Sequence, residues 1–180
     1  EPFSRWLLPE RDEFLEVHYD VFAELIRLAF DEGRVDTWGD PIVGVAVWLR
    51  RPAVVPGRRS VASLGGATAF PAHAVERVER FDAVLRDLRE RARPDEHAYL
   101  DTIAVLPESR RHGIATGLLD MGHAWADDEG LPCALETDTG RNVAFYARRG
   151  YAVVAEQPLP GSGLTITSMR HDAEPRERRP

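Results

Sequence analysis

The sequence contains no lysine: all 23 of its basic residues are arginine. That absence removes reactions that need a lysine amine, among them a Schiff-base site, a Walker A phosphate loop and a Ser–Lys pair. Cysteine is nearly absent as well. The single Cys133 excludes an intrachain disulfide and a cysteine-rich zinc site, and reads as a buried core thiol. No apolar run approaches the roughly 18 residues of a membrane span. No signal-peptide pattern is visible, so a cytoplasmic protein is the simplest expectation. Nucleic acid is not an expected partner, because 30 acidic residues outweigh the basic ones and leave a net charge of −7. No metal is expected: His123 and Asp127 share a helix face, but further ligands at a suitable spacing are lacking.

What is present is ordinary globular composition over 180 residues, 43% hydrophobic and 29% charged, which suits one domain. We expect that domain over residues 1–171 and a mobile tail over 172–180, which is Pro, Glu and Arg without an apolar anchor. Phe14, His18, Phe22, Leu25, Ile26 and Ala29 recur at helical spacing, with Gly33 as the expected C-cap. Val35 to Trp38 and Ile42 to Leu49 read as a hairpin around Gly39-Asp40-Pro41. Arg50 to Ala72 is loop with room for a short helix, and a long loop is often functional. A charged helix follows over Ala74 to Ala92, stopped by Pro94. Strand His97 to Leu106, loop Glu108 to Gly113, helix Ile114 to Glu129 and strand Cys133 to Thr137 come next. A short helix from Gly140 to Arg149, capped by Gly150, leads to strands Tyr151 to Glu156 and Leu164 to Arg170. This order predicts an α/β sandwich with a partly parallel sheet.

The chemistry concentrates between Val105 and Leu119. A buried strand runs into a loop that opens a helix, and the N–H groups at such a start are unpaired and carry the positive end of the dipole. They make a ready site for a phosphate. Gly113 and Ala115 allow close approach, while Arg110 and Arg111 add positive charge. The plain alternative is a strand-to-helix turn with exposed arginines. A dinucleotide fingerprint is not matched, because Leu118 stands where a third small residue is needed.

Arg110-x-x-Gly113-x-Ala115 resembles the signature of the GNAT superfamily of acetyl-CoA-dependent N-acetyltransferases. Tyr99 to Val105 is similar to the family's splayed central strand. Leu135-Glu136-Thr137, Asn142 to Tyr146 and Gly150-Tyr151 resemble its closing strand-helix-strand unit. The ordered match spans about His97 to Arg170, with a weaker continuation at Gly44 to Trp48. The Leu-Glu-Thr and Arg-Asn-x-x-Phe-Tyr wording is closest to the puromycin N-acetyltransferase-like branch. The resemblance implies an α/β GNAT fold: a mixed central sheet with a splayed middle strand, flanked by helices. It also implies that the strand and helix which usually open the family are absent from this chain. Thr139 stands where many members carry Asn, seven residues before Tyr146.

The same resemblance implies roles. Backbone N–H groups of Arg111, His112, Gly113, Ile114 and Ala115 would hold the CoA pyrophosphate, with the hydroxyl of Thr116 beside them. Ile103, Ala104 and Val105 would pair with the pantetheine arm as an added strand does, and the Val105 N–H would polarise the thioester carbonyl. Asn142 is a further candidate ligand. Tyr146 would protonate the leaving thiolate; the alternative is a core tyrosine. The acceptor amine must lose a proton, for which Glu136 is the first candidate base and Asp101 the second; either could instead be a structural anchor. His112 also reads as a solvated loop residue. Trp6 or Trp38 could line an acceptor pocket. The expected activity is transfer of acetyl from acetyl-CoA to a primary amine of a small molecule, in a ternary complex. A protein or peptide N-terminus is the alternative acceptor, and a non-catalytic CoA-binding regulator the alternative class. A homodimer is left open.

Overall fold

A computed structural model describes residues 2–51, 70–92 and 96–172. Two helices come first, α1 (Pro2–Leu7) and α2 (Arg11–Glu32), and among the described residues no strand precedes them. Strands β1 (Gly33–Trp38) and β2 (Gly44–Arg51) form the expected hairpin. Helix α3 (Ala72–Ala92), strand β3 (His97–Val105), helix α4 (Ile114–Glu129) and strand β4 (Cys133–Thr137) follow. Helix α5 (Gly140–Ala147) and strands β5 (Ala152–Leu159) and β6 (Leu164–His171) complete the order. Most of the expected long loop, the helix stop at Pro94 and the tail beyond Asp172 lie outside the described residues. No helix among the described residues is long and apolar enough to cross a membrane.

The sheet has six strands in the order β1-β2-β3-β4-β6-β5. Its only described parallel neighbours are β3 and β4, and every other pair is antiparallel. One face carries Trp48, Leu100, Leu135 and Met169, packed against Leu118 and Leu119 of α4 and Tyr146 of α5. The α4 residues inward are Ile114, Leu118, Leu119, Gly122 and Ala126, the spacing of one helix face. On the opposite face α2 covers β1 and β2, while α3 covers β5 and β6. The seam between β3 and β4 runs between those two helices.

Gly33 stands at the C-cap of α2, as expected; with φ −174° it is extended rather than left-handed, and it also opens β1. A Cβ there would stand 2.1 Å from the Trp48 carbonyl oxygen, so glycine serves the close approach of β2. Gly130 does cap α4 in the left-handed region, at φ 70°, donating to Ala126 and Asp127 carbonyls.

Candidate active site

The site is built by the parting of two strands. β3 pairs with β4 at Ala98↔Cys133 and Tyr99↔Ala134, and no further. Beyond that point β4 follows β6 while β3 follows β2. The parting coincides with a bulge. Val47 pairs with Thr102 and Trp48 with Leu100, so Asp101 is the extra residue opposite β2. One extra residue shifts the two-residue alternation of the strand. Ala98 and Leu100 pack toward α4, and after the bulge so do Ile103 and Val105. Leu106 donates its N–H to Val43 O at 2.9 Å, on the β2 side. Strand alternation therefore turns the N–H and C=O of Ile103 and Val105 toward the gap, and Ala104 the other way. There the Val105 carbonyl accepts a hydrogen bond from Arg110 Nε at 3.2 Å.

The loop beyond β3 opens α4 at the mouth of this gap. Gly113 is its N-cap, left-handed at φ 79°, and supplies no side-chain cap. The first helical bond runs from Gly117 N–H to Gly113 O at 2.9 Å. The N–H groups of Gly113, Ile114, Ala115 and Thr116 thus have no acceptor within the helix. No atom lies within 4 Å of where a Gly113 Cβ would stand, so the backbone is open to a ligand. Arg111 has φ 68°, a conformation uncommon for a side-chain-bearing residue. Arg110, Arg111 and His112 are exposed, and the His112 ring lies 3.3 Å from Ser109 O. Thr116 Oγ1 accepts from Arg149, whose guanidinium also donates to Phe145 O at 3.1 Å.

Helix α5 enters the same face. Thr139 caps it, accepting from the Asn142 N–H at 3.2 Å, so Thr139 serves the helix start. Asn142 lies in the first turn. Tyr146 is buried, edge-on to Tyr151 with centroids 5.6 Å apart. Tyr151 packs beside His123, which lies 3.0 Å from its hydroxyl and stacks on His171. Burial, with His171 adding to it, brings His123 down to about 4. The Cys133 thiol is buried and pushed up to about 12, as suits a core residue.

Across the sheet, the two candidate carboxylates meet in one polar cluster. Tyr99 donates its hydroxyl to Glu136 Oε2 at 2.5 Å. Arg89 of α3 donates to the Tyr99 oxygen at 3.0 Å and reaches the same Oε2 at 3.5 Å. The guanidinium carbons of Arg51 and Arg89 lie 5.6 and 5.0 Å from the Tyr99 ring centroid. Asp101 accepts from Thr102 at 3.2 Å. Burial raises the Asp101 carboxyl, against the pull of Arg51, the Thr102 hydroxyl and Arg89. Burial also raises the Tyr99 phenol, and the charge of Glu136 adds to it. Arg89 is pulled down by burial but raised overall by Tyr99 and Glu136.

Arg89 and the bulge were not found in the sequence, and Tyr99 was read only as part of a strand. The usable signals were Arg89 one turn beyond Leu85 on the apolar stripe of α3, and Tyr99 two residues before Asp101 on one strand face. Trp6 donates to Gly161 O at 3.1 Å and packs with α3, and Trp38 lies over Gly117 of α4.

The sheet thus parts beside a helix start that has no side-chain cap, with two carboxylates on its far face. A profile of the Acetyltransferase (GNAT) family matches residues 13–151, and the chain belongs to that family. It is an acyltransferase with acetyl-CoA as acetyl donor. Among solved structures it is similar to Naa20 of Chaetomium thermophilum in complex with a bisubstrate analogue, at 17% identity and TM-score 0.57 over 91% of this chain and 82% of that one. It is also similar to mosquito arylalkylamine N-acetyltransferase like 5b, at 14% identity and TM-score 0.58 over 77% of this chain and 74% of that one. A third is a histone acetyltransferase HPA2 and related acetyltransferase from Corynebacterium glutamicum ATCC 13032, at 24% identity and TM-score 0.53 over 87% and 76%. At these identities the likeness is one of fold.

Proposed function

We propose that this acyltransferase acetylates the primary amine of a small molecule, by direct attack of the amine on the thioester. The observation that carries this reading is the gap beyond Tyr99 and Ala134, with a helix start on one face and carboxylates on the other. Donor and acceptor would reach the gap from opposite faces. The open N–H groups from Gly113 to Thr116, with Arg110 and Arg111, suit the pyrophosphate. Ile103 and Val105 offer the pantetheine arm a free strand edge, and the Val105 N–H suits the thioester oxygen.

In the reaction the amine nitrogen forms a bond to the carbonyl carbon and the C–S bond breaks. The ammonium gives up two protons in all, one to a carboxylate and one that balances the departing thiolate. Tyr146 is the proposed donor to the thiolate, on the same face as the CoA loop. Of the two carboxylates, Asp101 is the better base, because burial raises it toward the working pH. This reverses the order read from the sequence, where Glu136 came first.

The wording of Leu135-Glu136-Thr137 and Arg141-Asn142-x-x-Phe145-Tyr146, similar to the puromycin N-acetyltransferase-like branch, supports a small acceptor and a drug-resistance role. The test is a panel of aminated antibiotics, simple amines and peptide N-termini with acetyl-CoA, read by thiol release. Turnover on small amines supports the reading. Turnover confined to peptides assigns a protein acceptor, and CoA binding without any turnover assigns a regulator.

A further inference from the structure

The Tyr99–Glu136 pair is ordered by a constraint of donor chemistry. A guanidinium only donates, so in its 3.0 Å contact with Arg89 the Tyr99 oxygen is the acceptor. The phenol then has one proton to give, and it goes to Glu136 at 2.5 Å. Both Tyr99 and Arg89 address the same oxygen, Oε2. Among the described residues Oε1 takes no hydrogen bond. Glu136 is therefore anchored by one oxygen and offers the other, with its side chain 8% exposed.

The surroundings set what Oε1 can receive. A shallow cleft opens at Glu136, lined also by Arg89, His97, Ser168 and Arg170. Arg89 is committed to Tyr99 and Oε2, and Arg170 pairs with Asp172 at 2.7 Å. On the other side of Tyr99 along β3 stands Asp101, with Arg51 near the Tyr99 ring. Of the helices on this face, α2 packs mainly on β1 and β2 and α3 mainly on β5 and β6, with Arg89 of α3 reaching over to Tyr99 and Glu136.

The geometry points to Glu136 as the receptor for the acceptor's ammonium group, with Arg89 and Tyr99 as positioning residues that fix its orientation. The acceptor is then an amine bound as a cation, of the basic aliphatic kind, and it loses its proton only after docking. This rests on the reading that the acceptor enters over the β3–β4 seam.

The test titrates the CoA-loaded protein with n-hexylammonium chloride and, separately, with 1-hexanol, by calorimetry. The wild type should bind the ammonium at least about tenfold more tightly than the alcohol, the scale of one charge-assisted hydrogen bond. Glu136→Gln should remove that preference. Tyr99→Phe and Arg89→Met should weaken ammonium binding several-fold while leaving 1-hexanol unchanged, and Arg89→Lys should restore part of the loss. CoA affinity, measured first on every variant, shows that each is folded. With the best amine of the panel, Glu136→Gln should raise KM more than it lowers kcat. An alcohol bound as tightly as the ammonium, or a preference that survives Glu136→Gln, overturns the assignment. A wild-type protein that binds no CoA overturns the donor-site reading instead.

Discussion

Trp48 lies so close to Gly122 that a Cβ on the glycine would stand 2.1 Å from the indole Cε2. The indole is fully buried between β2 and α4 and has no space to withdraw into. Gly122→Ala therefore moves either the ring or helix α4, which begins after Gly113. Overpacking of a filled core costs about 1–3 kcal/mol, and this contact belongs at the upper end. Gly117→Ala is the matched control. There the conflict is with Trp38, 2.5 Å away but 41% exposed and able to swing outward. Gly117→Ala should leave the thermal midpoint nearly unchanged and Gly122→Ala should lower it by several degrees. Equal midpoints would show that α4 shifts without penalty.

Gly113 separates backbone strain from charge. Its φ of 79° costs a side-chain-bearing residue about 1 kcal/mol, although nothing crowds the Cβ position. Gly113→Ala should lose little CoA affinity. Gly113→Asp adds the same strain and a negative charge where the pyrophosphate is expected, so affinity should fall by about a hundredfold or more. Calorimetry with CoA decides it, and an Asp variant that binds like the Ala variant would place the phosphates elsewhere.

The contrast between Gly113 and Gly33 shows what was legible in the sequence. Helix α4 and strand β4 were read with the bounds the structure has, because Gly113 and Gly130 bracket a long, strongly periodic segment and both adopt positive φ. Gly33 was read as the C-cap of α2, which it is, but its second role of letting β2 approach depends on Trp48 fifteen positions away and has no local signal. Helix α1, only six residues long, carries too little periodicity to be seen. On the donor side the motif residues are local in sequence, so Arg110 to Thr116 could be named together. In the polar cluster on the other face Arg89, Tyr99, Asp101 and Glu136 come from three elements. The bulge that aims Asp101 exists only in the register with β2.

Tyr146→Phe tests the proton donor. The ring is 7% exposed and edge-on to Tyr151, and Phe keeps that packing. Loss of a hydroxyl hydrogen bond costs about 1 kcal/mol of stability. Turnover should fall by about 10²-fold, the scale of losing a general acid, with CoA affinity unchanged. Steady-state kinetics beside calorimetry would show it. A variant with wild-type turnover means that water protonates the thiolate.

Asp101→Asn tests the base through two readouts that share one cause. Burial raises the Asp101 carboxyl in the folded state, so the folded protein holds that proton more tightly than the unfolded chain does. Its contribution to stability is full below the ordinary carboxylate value of about 3.9 and is lost as the pH rises through the raised value. At neutral pH the wild type therefore bears the burial of a charge that the Asn variant lacks. Asn can still accept from Thr102 at the position of Oδ1. Asp101→Asn should melt higher than the wild type at pH 7, and the difference should shrink as the pH falls toward 4. Turnover should move the other way, dropping by about 10²-fold or more, and the acid limb of the wild-type pH–rate profile should disappear. A variant that is more stable at pH 7 and fully active would leave Asp101 a buried charge without a catalytic role. If Glu136→Gln then removed the acid limb, the proton would pass to Glu136 and the two carboxylates would exchange parts.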